Sequence, residues 1–107
     1  MATSTINGIV DSGWQSVRTA TSAGTVWYRK IGKIVYLQCY GVTANHLQII
    51  YTLPVGFRPG IRWTVPASFP LDGGRVYVNM ETTGTMTTVR DGATSMVNMY
   101  CQTAYPI

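Results

Sequence analysis

The sequence predicts an all-β domain, a sandwich or a barrel. Three observations carry that reading. No window shows helical periodicity, and Val, Ile, Thr and Tyr dominate from Trp14 onward. Strand-like runs recur at a spacing of about ten residues. Turn-forming clusters separate them: Ser22-Ala23-Gly24, Gly32, Asp72-Gly73-Gly74, Thr83-Gly84 and Asp91-Gly92.

Taken in order, residues 1–13 ("MATSTINGIVDSG") are small, polar and turn-rich. They read as a linker or neck remnant without a fold of their own, cut from a longer chain, and the domain is expected over 14–107. Strands are expected near 14–20, 25–31, 33–42, 46–52, 62–69, 75–80, 84–90 and 95–105. The second and third flank Gly32 in "VWYRKIGKIVYLQCYGV". A type I turn over Lys30 and Ile31, with Gly32 as a left-handed bulge, fits that hairpin.

Strand parity then sorts the side chains. Val35, Leu37 and Cys39 form a core face, while Ile34, Tyr36, Gln38 and Tyr40 point the other way. The last run repeats the pattern, with Val97, Met99 and Cys101 opposed to Met96, Asn98, Tyr100 and Gln102. Broad Tyr side chains with polar tips suit a partner chain or ligand. Cover by strands or loops of the same chain is the alternative. Alternation also puts Trp27 and Tyr28 on opposite faces, so one of them is exposed.

"YTLPVGFRPG" (residues 51–60) is a different object. Its two prolines and two glycines exclude a central strand. It reads as an ordered loop pinned to the core through Leu53 and Phe57, with Arg58 hydrogen-bonded to nearby carbonyls or a carboxylate.

Bulk composition narrows the function. A chain of 107 residues suits one domain and buries a real core without staples. Only 11% of residues are charged, against a usual quarter or so, and the net charge of +4 reflects few acids rather than many bases. The bases are scattered, with no basic stripe, so nucleic acid is not expected as a partner. No run approaches the ~20 apolar residues of a membrane helix. Residues 1–10 lack the basic start and apolar core of a signal peptide, which implies synthesis in a cytoplasm without classical export. Cys39 and Cys101 are expected as buried free thiols, a disulfide being the alternative. No metal-ligand spacing and no cofactor motif are present.

Catalysis is not expected. Glycoside hydrolysis normally needs two carboxylates flanking the bond, and the chain has four acids, Asp11, Asp72, Glu81 and Asp91, of which three lie near turns or in the linker. A Ser-His-acid set would depend on the single His46, with no nucleophile elbow in sight.

Several motifs in order carry a resemblance: "SGW" (12–14), "YRKIGKIVYLQCYGV" (28–42), "YTLPVGFRPG" (51–60), "GGRVYV" (73–78) and a "YP" at 105–106. Over 14–107 the chain resembles the C-terminal head domains of phage and prophage tail-fibre and baseplate receptor-binding proteins of Gram-positive hosts. That resemblance implies an antiparallel, jelly-roll-like β-sandwich assembling as a homotrimer. It implies a place at the virion tail tip, beside other tail or baseplate proteins, and binding to a host cell-wall glycan or teichoic-acid-like polymer. The outer face with Ile34, Tyr36, Tyr40 and Tyr100 would then meet neighbouring subunits.

The resemblance supplies no binding signature, so candidate ligand residues come from chemistry. Sugars want aromatic faces and planar polar groups, and anionic polymers want cations. His46, Arg62, Trp63, Asp72 and Tyr77 are the candidates. Each also has a structural explanation: an exposed loop histidine, a core or rim aromatic, a turn-capping Asp. A structural module with no ligand of its own is the alternative function.

Overall fold

The computed structural model describes residues 4–6, 8–20, 24–68, 75–91 and 95–107. It is all-β and antiparallel, with ten strands: β1 (Ser4–Ile6), β2 (Ile9–Asp11), β3 (Gln15–Arg18), β4 (Thr25–Ile31), β5 (Ile34–Asn45), β6 (Ile49–Thr52), β7 (Trp63–Ser68), β8 (Arg75–Met80), β9 (Thr85–Asp91) and β10 (Ser95–Pro106). All eight expected strands are present. The stretch 46–48, expected as strand, is a turn instead, with Leu47 at φ 59° and its N–H bonded to Thr88 O at 2.7 Å.

The strands form one continuous sheet in the order β1-β2-β4-β5-β10-β7-β8-β9-β6, with β3 also paired to β4. The β10–β7 step has only two register pairs, Tyr100↔Ser68 and Cys101↔Ala67. Either side of that narrow step the sheet curls over, so that two layers enclose one core. Ala20 N–H donates to Ile50 O at 2.7 Å, joining the end of β3 to the far edge strand β6. The core draws on both layers: Val26, Val35 and Leu37 from one, Val65, Val78 and Met86 from the other. Burying such side chains contributes roughly 1.5–3 kcal/mol each.

Two expectations are corrected. Within 1–13, the described residues 4–6 and 8–13 are not without a fold. β1 and β2 pair antiparallel, and β2 and β3 follow one another along β4 with a kink between them. The kink falls at Ser12 and Gly13, where Gly13 has φ 72° and its N–H donates to Asp11 Oδ1 at 2.9 Å. Ser12 N–H donates to Lys30 O, and Lys30 N–H donates to Ser12 Oγ, both at 2.9 Å. The Arg29 guanidinium then ion-pairs with Asp11, with Nε at 2.8 Å from Oδ1, and lies 5.9 Å from the centre of the Trp14 ring. That pairing holds the Asp11 carboxyl down at about 2, chiefly through the Arg29 hydrogen bond and next through the Gly13 N–H.

The second correction is the hairpin turn. Ile31 pairs with Ile34, so Gly32 and Lys33 form a two-residue loop, and Gly32 is its first central residue at φ 59°. A glycine there suits a type II′ turn, whose twist matches the flanking strands. The Gly32 N–H donates to Val10 O at 2.9 Å, which fixes this arrangement from outside the hairpin.

The 51–60 loop is ordered as expected. Leu53 is fully buried, and Phe57 meets the Tyr28 ring edge-on at 4.9 Å. Arg58 Nε donates to Leu53 O at 2.9 Å, and Leu53 N–H donates to Gly84 O at 2.9 Å. Tyr105 OH donates to Phe57 O, and Lys30 Nζ donates to Gly56 O at 3.0 Å. Burial drives the Tyr105 hydroxyl well above its ordinary range.

Candidate functional site

The strongest feature for recognition is the outer face of β4, β5 and β10. Alternation along β5 buries Val35, Leu37 and Cys39 and exposes Ile34, Tyr36, Gln38 and Tyr40. On β10, Met99 and Cys101 are buried while Tyr100 and Gln102 are exposed. Trp27 is the exposed partner of buried Tyr28 on β4. The four residues expected on an outer face, Ile34, Tyr36, Tyr40 and Tyr100, all lie on it.

Register sets what these side chains can do together. Gln38 sits directly opposite Gln102, and Cys39 directly opposite Cys101. One step further, Tyr40 and Gly41 on β5 face the single residue Tyr100, because the pairing resumes at Val42↔Met99. Gly41 has φ 64°, the left-handed geometry of a glycine bulge. A bulge bends its strand and re-aims the neighbouring side chain. Here the Tyr40 and Tyr100 rings meet in a T shape, with centres 5.0 Å apart at 79°.

Two open depressions follow from this relief. One, of about 610 Å³, is lined by Gln38, Tyr40, Pro66, Tyr100 and Gln102, with the two cysteines at its floor. The other, of about 370 Å³, shares Gln38 and Gln102 and extends to Trp14 and Tyr36. Among the described residues no Lys, Arg, His, Asp or Glu lines either one. Cys39 and Cys101 are free thiols, and contact with Cys101 together with burial raises the Cys39 thiol well above its usual range.

The four described candidates from chemistry do not gather at this face. His46 is exposed in the β5–β6 turn. Arg62 pairs with Glu81 at 2.9 Å in an exposed ion pair. Trp63 packs against the core and donates its indole N–H to Thr103 Oγ1 at 3.0 Å, so its ring is occupied inside. Tyr77 is half-buried on β8, between Pro66 and Val89 in register. Asp72 lies outside the described residues. None of the four described candidates lines either depression. Gln38 and Gln102 were legible as outward residues, but nothing marked them as ligand groups, because their adjacency depends on a pairing across sixty-odd residues of chain.

Among the described residues no group of three or more His, Cys, Asp or Glu could hold a metal ion. No helix among them is long and apolar enough to cross a membrane.

No protein-family model and no curated protein matches the sequence. A solved structure does match: the head domain of phage bIL170, described among the receptor-binding domains of lactococcal phages. The two superpose with a TM-score of 0.60 at 18% identity, over 89% of this chain and 97% of that one. The present chain therefore has the fold of a lactococcal phage receptor-binding head domain.

Proposed function

We propose that this chain is the receptor-binding head of a phage tail appendage, and that it recognises a host-surface saccharide without chemical catalysis. The observation that carries this is the shared fold, which spans nearly the whole of a receptor-binding head. The uncharged Tyr and Gln face adds to it, since aromatic rings and amides suit sugar C–H surfaces and hydroxyls. A work cycle without catalysis is supported by the acids that are described with their partners: Asp11 and Glu81 are each tied to an arginine. The same reading places the protein at the virion tail tip among other tail proteins.

Assembly as a homotrimer belongs to this proposal. It draws on the end of the outer face near the β4–β5 turn. Ile34 and Tyr36 are exposed there, and exposed Ile9, Val10 and Ile107 gather at the same turn through the Val10–Gly32 and Ile107–Lys33 backbone bonds. An exposed apolar cluster of this kind favours subunit contact. It is also the observation that favours the second reading, a structural module with no ligand of its own.

Two measurements test this. Labelled protein should be retained by host cells and by their purified wall polysaccharide, with polymer length unchanged. Retention by neither would leave only the structural reading, and shortening of the polymer would reinstate an enzyme. Sedimentation should give three times the 11.7 kDa chain mass, and a monomer at all concentrations would remove the trimer.

A further inference from the structure

We infer that Cys39 and Cys101 are a dithiol placed to close, by exchange with a small-molecule disulfide, into a reversible cross-strand disulfide that locks β5 to β10. The bond itself rests on strand register. Its use, as a lock that closes when the chain leaves the reducing interior of a cell, rests on the receptor-binding reading.

The chain has two cysteines, and the fold sets them directly opposite each other across β5 and β10, both buried. Their thiols are in hydrogen-bond contact. Directly opposite residues of antiparallel strands have Cα atoms about 4.5–5.5 Å apart. A disulfide takes Cα separations of about 4.4–6.8 Å, so no strand has to be rebuilt to close one. The Cβ atoms of such a pair lie about 4.5–5.5 Å apart, against about 3.5–4.5 Å in a disulfide. The strands must therefore draw together slightly, and they have slack for it. The register shifts on either side of Met99, and Gly41 forms its bulge two residues beyond Cys39. A bond closed under that tension is readily reduced again, which makes it reversible.

The position gives the bond leverage. Val26, Cys39, Cys101 and Ala67 form one row across β4, β5, β10 and β7. The row crosses the step where the sheet passes from one layer to the other. Between the two cysteines along the chain lie β6, β7, β8 and β9 entire. The disulfide therefore closes a ring of roughly 60 residues that contains the second layer, and removes much of the freedom of its unfolded chain.

The exchange needs one reagent, a disulfide such as oxidised glutathione. Cys101 is the less buried thiol, 8% exposed against 3%, and attacks first. Its thiolate takes one glutathione sulfur and expels the other half as a thiolate. The Cys39 thiolate then attacks the Cys101 sulfur and expels the second half. The protein loses two electrons and two protons, and glutathione leaves as two thiols. Both protein thiols are shielded, so each attack waits for a local opening of β10, and closure is slow.

The test exposes native protein to oxidised glutathione without denaturant. The chain mass should fall by two hydrogens, and trypsin should release residues 34–62 joined to 91–107. The oxidised protein should melt about 10 °C higher than the reduced one, and dithiothreitol should reverse the gain. Cys101→Ala should gain nothing from the same treatment, with its reduced midpoint checking that it folds. Wild type in its two redox forms carries the test by itself if that variant does not fold. Thiols left free, glutathione adducts without joined peptides, or chains joined to one another would each overturn the proposal. So would closure that needs denaturant, a joined form that melts no higher, or one that dithiothreitol does not reopen. Host-cell retention separates the two levels. A joined, stabilised protein that cells do not retain would spare the bond and sink its use. Retention of a protein that never joins would sink the bond and spare the receptor reading.

Discussion

The 51–60 loop and the outer face of β5 and β10 handle their polar groups in opposite ways. In the loop, the Leu53, Gly56 and Phe57 carbonyls are each taken by a side-chain donor, from Arg58, Lys30 and Tyr105. Its apolar anchors are buried or packed against the core. On the outer face, two amides stand opposite each other without protein partners among the described residues, and the aromatic rings are exposed. The more motif-like of the two regions in sequence is thus the one whose chemistry is spent on folding. Plain strand alternation carries the surface that remains available. A distinctive motif reports a demanding local structure, and recognition has to be sought where bonding capacity is left over.

The sharpest way to break this contrast is at the loop's docking point. A Cβ on Gly84 would lie 2.5 Å from Leu53 O and 2.9 Å from Arg58 Nε, at a φ of 86° that disfavours any side chain. Gly84→Ala should therefore cost about 3 kcal/mol or more, read as a fall in Tm on the order of 10–20 °C. A Tm within a degree or two of wild type would show that the loop is not locked there.

Tyr105→Phe probes the same loop more gently. It removes the hydroxyl bonded to Phe57 O and should cost about 1–2 kcal/mol in urea denaturation, with retention by host-wall polysaccharide unchanged. If it weakened that retention, loop and face would not be separable. On the face the signs reverse. Tyr40→Ala should change folding stability by no more than about 0.5 kcal/mol, since an exposed ring has little to lose. A much larger loss would mean that the Tyr40–Tyr100 pair is structural.

The smallest effect concerns the edge that frames the face. Asp11 holds its proton less tightly when folded, about 2 against an ordinary 3.8, so the unfolded chain protonates first as pH falls. The stabilisation from its pairing with Arg29 is complete above about pH 4 and drains away towards pH 2. The gap in urea midpoint between wild type and Asp11→Asn should be present at about pH 5 and close near pH 2. A gap that ignored pH would assign the edge to Ser12 and Trp14 instead.

The eight strands from residue 15 onward were legible because each alternates over several residues and ends in turn chemistry. The β1–β2 pair was not. Its strands have three residues each, and Ile9 and Val10 are exposed. Its anchor is Arg29, eighteen residues further along. The Gly32 turn was misassigned for the same kind of reason, because the deciding bond comes from Val10. Parity placed Tyr36, Tyr40 and Tyr100 on the outer face correctly. It could not show that Trp63 would turn inward to Thr103, or that Arg62 would meet Glu81, since both partners depend on strand order.

The facing pair Cys39 and Cys101 gives the molecule a built-in ruler. A slip of one residue between β5 and β10 would invert every side chain of the slipped strand and carry its tyrosines inward. It would also pull the two sulfurs out of line. Any preparation in which a short bifunctional thiol reagent spans them has, by that fact, Gln38 and Gln102 side by side. The alignment of the whole ribbon can thus be certified from two buried sulfur atoms.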